Sequence, residues 1–127
     1  MKKITLLLGA IIALPLLIGS AQGEILHNYY TIQEDTEELA NMYPDIAIYR
    51  EHGESSLGGL SIFSVDVALN ITELSEEELR AMPTMYVDAA HHGNEQMAVE
   101  AAYFFLKEVL EKSAADSTYL EGKRLVV

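Results

Sequence analysis

The segment from Thr84 to Lys112, "TMYVDAAHHGNEQMAVEAAYFFLKEVLEK", constrains the fold of this chain more than any other. Its opening run, Thr84–Ala90, is rich in apolar residues and reads as a buried strand. From Glu95 to Lys112 the pattern becomes helical. Ala98, Ala101/Ala102, Phe105 and Val109 form one stripe, and Glu100, Lys107, Glu108 and Glu111 turn to water. The aromatics Tyr103, Phe104 and Phe105 read as core. A strand-like "KRLVV" follows at 123–127. Strand, long helix, strand is a crossover unit, so the chain is read as α/β with two parallel strands joined through a helix.

The residues before this unit fit the same class. "YYTIQEDTEELANMYPD" (29–45) reads as a helix, with acids loading its first turn and Tyr43–Pro44 ending it. "IAIYREHG" (46–53) is a strand, "ESSLGG" (54–59) a loop, and "LSIFSVDVALNI" (60–71) an alternating strand with an irregularity near Phe63 and Ser64. "TELSEEELRAMP" (72–83) forms one helical turn or a surface loop. Ser75 followed by Glu78 has the spacing of a capping box. The expected order is helix, two strands, strand, helix, strand. Ending inside a strand-like run predicts a truncated chain.

At its head, "MKKITLLLGAIIALPLLIGSAQG" has two lysines, an apolar run from Ile4 to Ile18, and small residues after it. That is the layout of a secretory signal peptide over residues 1–23. The apolar run is short for a membrane span, which needs about 20 residues, and an uncleaved anchor is the alternative. The expected location is extracytoplasmic, with residues 24–127 as the folded part.

The formal net charge is −12, and the basic residues are scattered. Nucleic acid and anionic membrane surfaces would repel such a chain, so neither is an expected partner. With no cysteine, disulfides, thiolate zinc sites and cysteine nucleophiles are excluded. "NIT" at Asn70 matches a glycosylation sequon, a motif common by chance. There is no H-E-x-x-H, no G-x-S-x-G elbow and no phosphate-binding glycine loop.

The chemistry-bearing residues gather where the strand gives way to the helix, at "HHGNE". His92 would stand at the carboxyl end of the strand, where open α/β sheets place their ligand sites. Glu95 would lie in the first helical turn, and Gly93 would let the backbone turn sharply between them. One imidazole nitrogen and one carboxylate oxygen would then face the same point, a pair that suits zinc. The competing reading is that Glu95 complements the helix N-terminus and His92 is a polar strand end. His91 is expected on the side opposite His92, because strand side chains alternate.

Three segments, in order, resemble the zinc carboxypeptidase family of the A/B and D/E types. "LANMYPDIAIYREHGESSLGGLSIFSVDVA" is similar to the family's opening helix, strand, Gly-x-Ser-x-x-Gly turn and strand. "PTMYVDAAHHGNEQMAVEAAYFFLKEVL" is similar to its first metal-binding segment, in the H-G-N-E form. "YLEGKRLVV" resembles the strand before its Asn-Pro-Asp-Gly-like loop. Two positions depart from the pattern. Gly59 stands where many members carry arginine, and Asn94 stands where the A-type members do.

The resemblance implies the N-terminal portion of a mixed sheet flanked by helices, with His92 and Glu95 as zinc ligands. It implies a metallocarboxypeptidase that removes C-terminal residues from peptide or protein substrates with a free C-terminus. The family's second zinc histidine, its carboxylate-binding arginine and its general-base glutamate fall beyond Val127. No catalytic residue is therefore assigned within this chain, and neither His27 nor His52 takes those roles. Alone, the chain is expected to bind zinc poorly and to be inactive. Two alternatives remain: a zinc deacylase of the succinylglutamate desuccinylase and aspartoacylase type, which shares the His-x-x-Glu pair, and a non-catalytic exported binding domain.

Overall fold

Asn28 decides where the first helix begins. In the computed structural model, which describes residues 26–127, its side-chain oxygen accepts the N–H groups of Tyr30 and Thr31, and Thr31 returns a bond to the Asn28 N–H. This reciprocal cap satisfies donors that an open helix end leaves unpaired. Helix α1 accordingly runs Tyr29–Asn41, and its first turn holds no acid. The acidic run expected there falls further along, because the cap sets the start earlier than the charge pattern does. The leader read over residues 1–23 lies outside the described residues.

Strands β1 (Ala47–Glu54) and β2 (Ser61–Val67) follow as an antiparallel hairpin. Its loop is closed by Ser55, whose N–H donates to Leu60 O at 2.7 Å and whose hydroxyl accepts from the Leu60 N–H. Gly59 has φ +59°, a left-handed turn that glycine takes without a Cβ clash. The irregularity expected near Phe63 is present but sits on the facing strand. The register shifts between Glu51 and Gly53, opposite Phe63 and Ile62, leaving His52 as the extra residue.

The acidic segment does form a helix, α2 (Glu76–Ala81). Ser75 caps it, and the Glu78 carboxylate accepts from the Ser75 N–H at 2.8 Å, as the capping-box spacing predicts. Then come β3 (Thr84–Tyr86), α3 (Gln96–Ala115) and β4 (Arg124–Val126). The sheet order is β1-β2-β4-β3. β2 and β4 are antiparallel, and β3 and β4 are parallel. The crossover helix does join two parallel strands. The fold is a mixed four-stranded sheet flanked by helices.

Alternation along β2 divides the sheet into two faces. Val65 and Val67 point to the main core, with Leu39 and Ala40 of α1, Leu106, Val109 and Leu110 of α3, and Leu125 of β4. On the other face Ala68 packs with Ile71 and with Leu79 of α2. Among the described residues no helix is long and apolar enough to cross a membrane.

Three expectations fail here, each for a packing reason. β3 is three residues long and exposed rather than buried, because it is the outer strand beside β4. The α3 stripe is rotated from the one expected. Leu106, Val109, Leu110 and Ser113 are buried, while Ala98, Ala101 and Phe104 are exposed. Every residue from Met97 to Leu106 except Glu100 is apolar, so the pattern alone could not choose the face. Tyr103 and Phe105 do pack against the core. Glu100, expected in water, is buried at 7 % exposure against His27.

The polar side of β2 carries a buried charge. Asp66, 2 % exposed, accepts Arg50 Nε at 2.6 Å from β1 and an Arg124 guanidinium N–H at 2.9 Å from β4. One carboxylate thus ties three strands. Removing it would leave the Arg124 guanidinium without its carboxylate and Arg50 with Glu76 alone, and breaking a buried pair in this way typically costs about 3–5 kcal/mol. Urea unfolding of Asp66→Ala should show destabilisation of that size, whereas an exposed acid such as Glu111→Ala should change stability by less than about 0.5 kcal/mol.

Candidate metal centre

The β3–α3 connection places the two candidate ligands. β3 stops at Tyr86, although the Val87 N–H still donates to Val126 O at 2.8 Å. The chain then runs irregularly to Glu95, the residue that precedes α3. His92 therefore stands in a loop beyond the strand, not at its last residue. Ala90 takes φ 62°, a left-handed conformation uncommon for a side chain with a Cβ. Gly93, expected to supply the sharp turn, has no positive φ, and a Cβ there would meet nothing within 4 Å. The left-handed residue of this connection is Ala90, not the glycine.

A tight turn brings the pair together. The Glu95 N–H donates to His92 O at 3.1 Å. The ring Nδ1 of His92 lies 2.8 Å from Glu95 Oε1, and the His92 backbone N–H donates to Oε2 at 3.3 Å. Both side chains are open to solvent, at 77 % for His92 and 40 % for Glu95. His91 takes a different partner: its Nε2 lies 2.8 Å from Asp88 Oδ2. The two histidines part, but not through strand alternation, since neither belongs to a strand.

The His92 ring N–H, followed by its backbone N–H, holds the Glu95 carboxyl below the usual carboxylate range. Glu95 is therefore ionised at neutral pH, the state in which a carboxylate ligates a cation. Tetrahedral zinc with nitrogen and oxygen ligands at about 2.0–2.2 Å holds those atoms roughly 3.3–3.5 Å apart. The observed 2.8 Å is a direct hydrogen bond, so about half an ångström of side-chain rotation would be needed. The donor types fit zinc. Their number does not suffice: among the described residues no group of three or more His, Asp or Glu side chains is arranged so that it could hold a metal ion.

A cleft of about 220 Å³ opens at the carboxyl ends of β3 and β4, between α1 and α3. Asp88, Ala89 and Val99 border it, with Phe63 and Val127. His92 and Glu95 do not line it, although both were expected to face such a crevice. The polar cluster that sequence reasoning missed is elsewhere, where His27 meets Asp35 and Glu100. The partners are 8 and 73 residues from His27, and no local pattern joins them.

The fold is an α/β crossover that carries, at the entry to its helix, a His–carboxylate pair whose donor types suit zinc. The chain matches the family described as zinc carboxypeptidase over residues 32–125, and it belongs to that family. The match spans α1 to β4 and includes His92 and Glu95. A comparison with curated proteins finds no match.

If His92 holds Glu95 as described, the metal-free protein should show the Glu95 carboxyl titrating below its ordinary 4.5. Substituting His92→Ala should return it toward that value, which carbon-detected NMR of the side-chain carboxyl would read.

Proposed function

We propose that the full-length protein is an exported zinc carboxypeptidase in which His92 and Glu95 supply two of the three protein ligands. The observation that carries this reading is the 2.8 Å approach of the His92 ring to the Glu95 carboxylate, at the entry to the crossover helix of a chain in the zinc carboxypeptidase family. The substrate class is a peptide or protein with a free C-terminus. The third ligand, the general base and the group that holds the substrate carboxylate would come from outside the described residues. Export rests on the leader-like sequence of residues 1–23.

Zinc, when bound, polarises the scissile carbonyl and lowers the pKa of its water. The chain's own residues prepare for this. Glu95 is ionised, so a proton competes weakly with a cation for its oxygens. The backbone bond from Glu95 N–H to His92 O fixes the separation of the two side-chain origins, so only side-chain rotation is needed to open the pair.

Full-length protein should carry stoichiometric zinc and release C-terminal residues from peptides. Loss of a group that merely orients a metal ligand costs about 10–100-fold in affinity. His92→Ala and Glu95→Ala, which remove the ligands themselves, should cost more and should abolish turnover. Zinc bound equally well by both variants would overturn the ligand assignment. Hydrolysis of N-acyl amino acids in place of peptides would replace the exopeptidase reading with a deacylase. Zinc-free full-length protein would leave a non-catalytic binding domain.

A further inference from the structure

We propose that His27 is a proton-operated brace between α1 and α3, closed while its ring carries both protons and released on the α1 side when it loses one. The ring sits between two carboxylates. Nδ1 lies 2.9 and 2.8 Å from the two oxygens of Glu100 on α3, and Nε2 lies 2.9 Å from Asp35 Oδ2 on α1. Ionised carboxylates only accept hydrogen bonds, so both contacts are satisfied at once only by the doubly protonated imidazolium. A neutral ring has one N–H, and its lone pair must face one of the two acids.

The geometry decides which contact is lost. Glu100 also accepts the His27 backbone N–H at 2.6 Å, a bond indifferent to the state of the ring. Its side chain is 10 % exposed, so an abandoned Glu100 carboxylate would be left without water. Asp35 is 45 % exposed and can turn into solvent. The neutral ring therefore keeps its proton on Nδ1, toward Glu100, and presents the Nε2 lone pair to Asp35. That contact turns repulsive and parts.

Among the described residues three ionisable groups face the ring. Asp35 comes from α1, and Glu100 and Tyr103 come from α3, with the Tyr103 ring centroid 5.0 Å away. None of these is a cation. Burial alone would push His27 down, but its hydrogen bonds to Glu100 and Asp35 outweigh this and raise it above its ordinary 6.5. Burial would likewise push Glu100 up, and the bonds from the His27 backbone and ring hold it below its ordinary 4.5.

The signs set the working range. The contribution of His27 to stability is complete below 6.5 and is lost as pH rises through its raised value. The contribution of Glu100 is complete above 4.5 and is lost as pH falls through its lowered value. The brace is fully closed between these limits and opens on the alkaline side at Asp35. His27 immediately precedes Asn28, the cap of α1, so opening removes the tie between that junction and Asp35, while the His27 backbone stays on Glu100.

Long-range nitrogen–proton NMR of the four histidine rings in the full chain tests this, with His27 assigned through a His27→Gln variant. The expected result is a His27 midpoint above 6.5, with the neutral ring protonated at Nδ1. Asp35→Asn should move that midpoint down. It should also reduce the fall in thermal midpoint as pH rises past 6.5. A structural contact without proton control would not move with pH in this way. A His27 midpoint at or below 6.5, one unchanged in Asp35→Asn, or a neutral ring protonated at Nε2 would each overturn the proposal. Should His27→Gln fail to fold, Asp35→Asn alters a half-exposed side chain and supports both assignment and test by itself.

Discussion

The sheet depends on the buried carboxylate of Asp66. β2 and β4 share only two paired positions in the ladder, Asp66 with Val126 and Val67 with Leu125, supplemented by the reciprocal Val65–Val127 backbone bonds. So short a ladder is weak by itself. Asp66 reinforces it by accepting Arg124 from one neighbour and Arg50 from the other. Arg50 continues to Glu76 of α2 at 2.8 Å, and Arg124 reaches toward Leu79 O on the same helix. The network therefore also fixes the helix that covers this face. A buried ion cluster is expensive to desolvate, and it stabilises only if its geometry is good. Here both carboxylate oxygens are used, while Arg124 Nε has no hydrogen-bond partner among the described residues. What the cluster contributes is register as much as stability: β4 is held to β2, and β3 is aligned on β4.

That alignment is what brings the candidate site into place. β3 pairs with β4 over Thr84–Tyr86, and the chain leaves its end toward Ala90, His91 and His92. Helix α3 then returns over the apolar face, with Leu106 and Leu110 against Val65, Val67 and Leu125. The His92–Glu95 pair is thus anchored at both ends, by a strand and by a helix start. Its own residues remain in solvent.

The parts legible in the sequence are those set by local chemistry. The crossover unit was readable because strand and helix periods change within one segment. The Ser75–Glu78 cap was readable because both partners lie within four residues. The adjacency of His92 and Glu95 was readable because one turn joins them. What was not readable depends on distant partners. Glu100 looked like a surface acid, since the histidine that buries it lies 73 residues away. The α3 face was misassigned because apolar residues surround much of the helix, and only contacts with α1 and the sheet choose among them. Gly93 looked conformationally necessary, yet the left-handed residue is Ala90. The composition gives no sign of this, because alanine is ordinarily a helix residue.

The state of the candidate pair also says how a metal would be acquired. Two exposed side chains already joined by a hydrogen bond lose little by exchanging it for a shared cation, since water can take over whatever is released. The same exposure limits what the pair can do by itself. Electrostatic polarisation is strong where water is excluded and weak where it is not. His92 and Glu95 have the chemistry of ligands but not the surroundings of a reaction centre, and neither lines the cleft beside them. Catalysis of the proposed kind therefore requires residues that add ligands and also cover this surface. The fold prepares for such an addition: the loop is held between β3 and α3, and Glu95 is already ionised. Preorganisation of two ligands reduces the entropy that the remaining ligands must overcome.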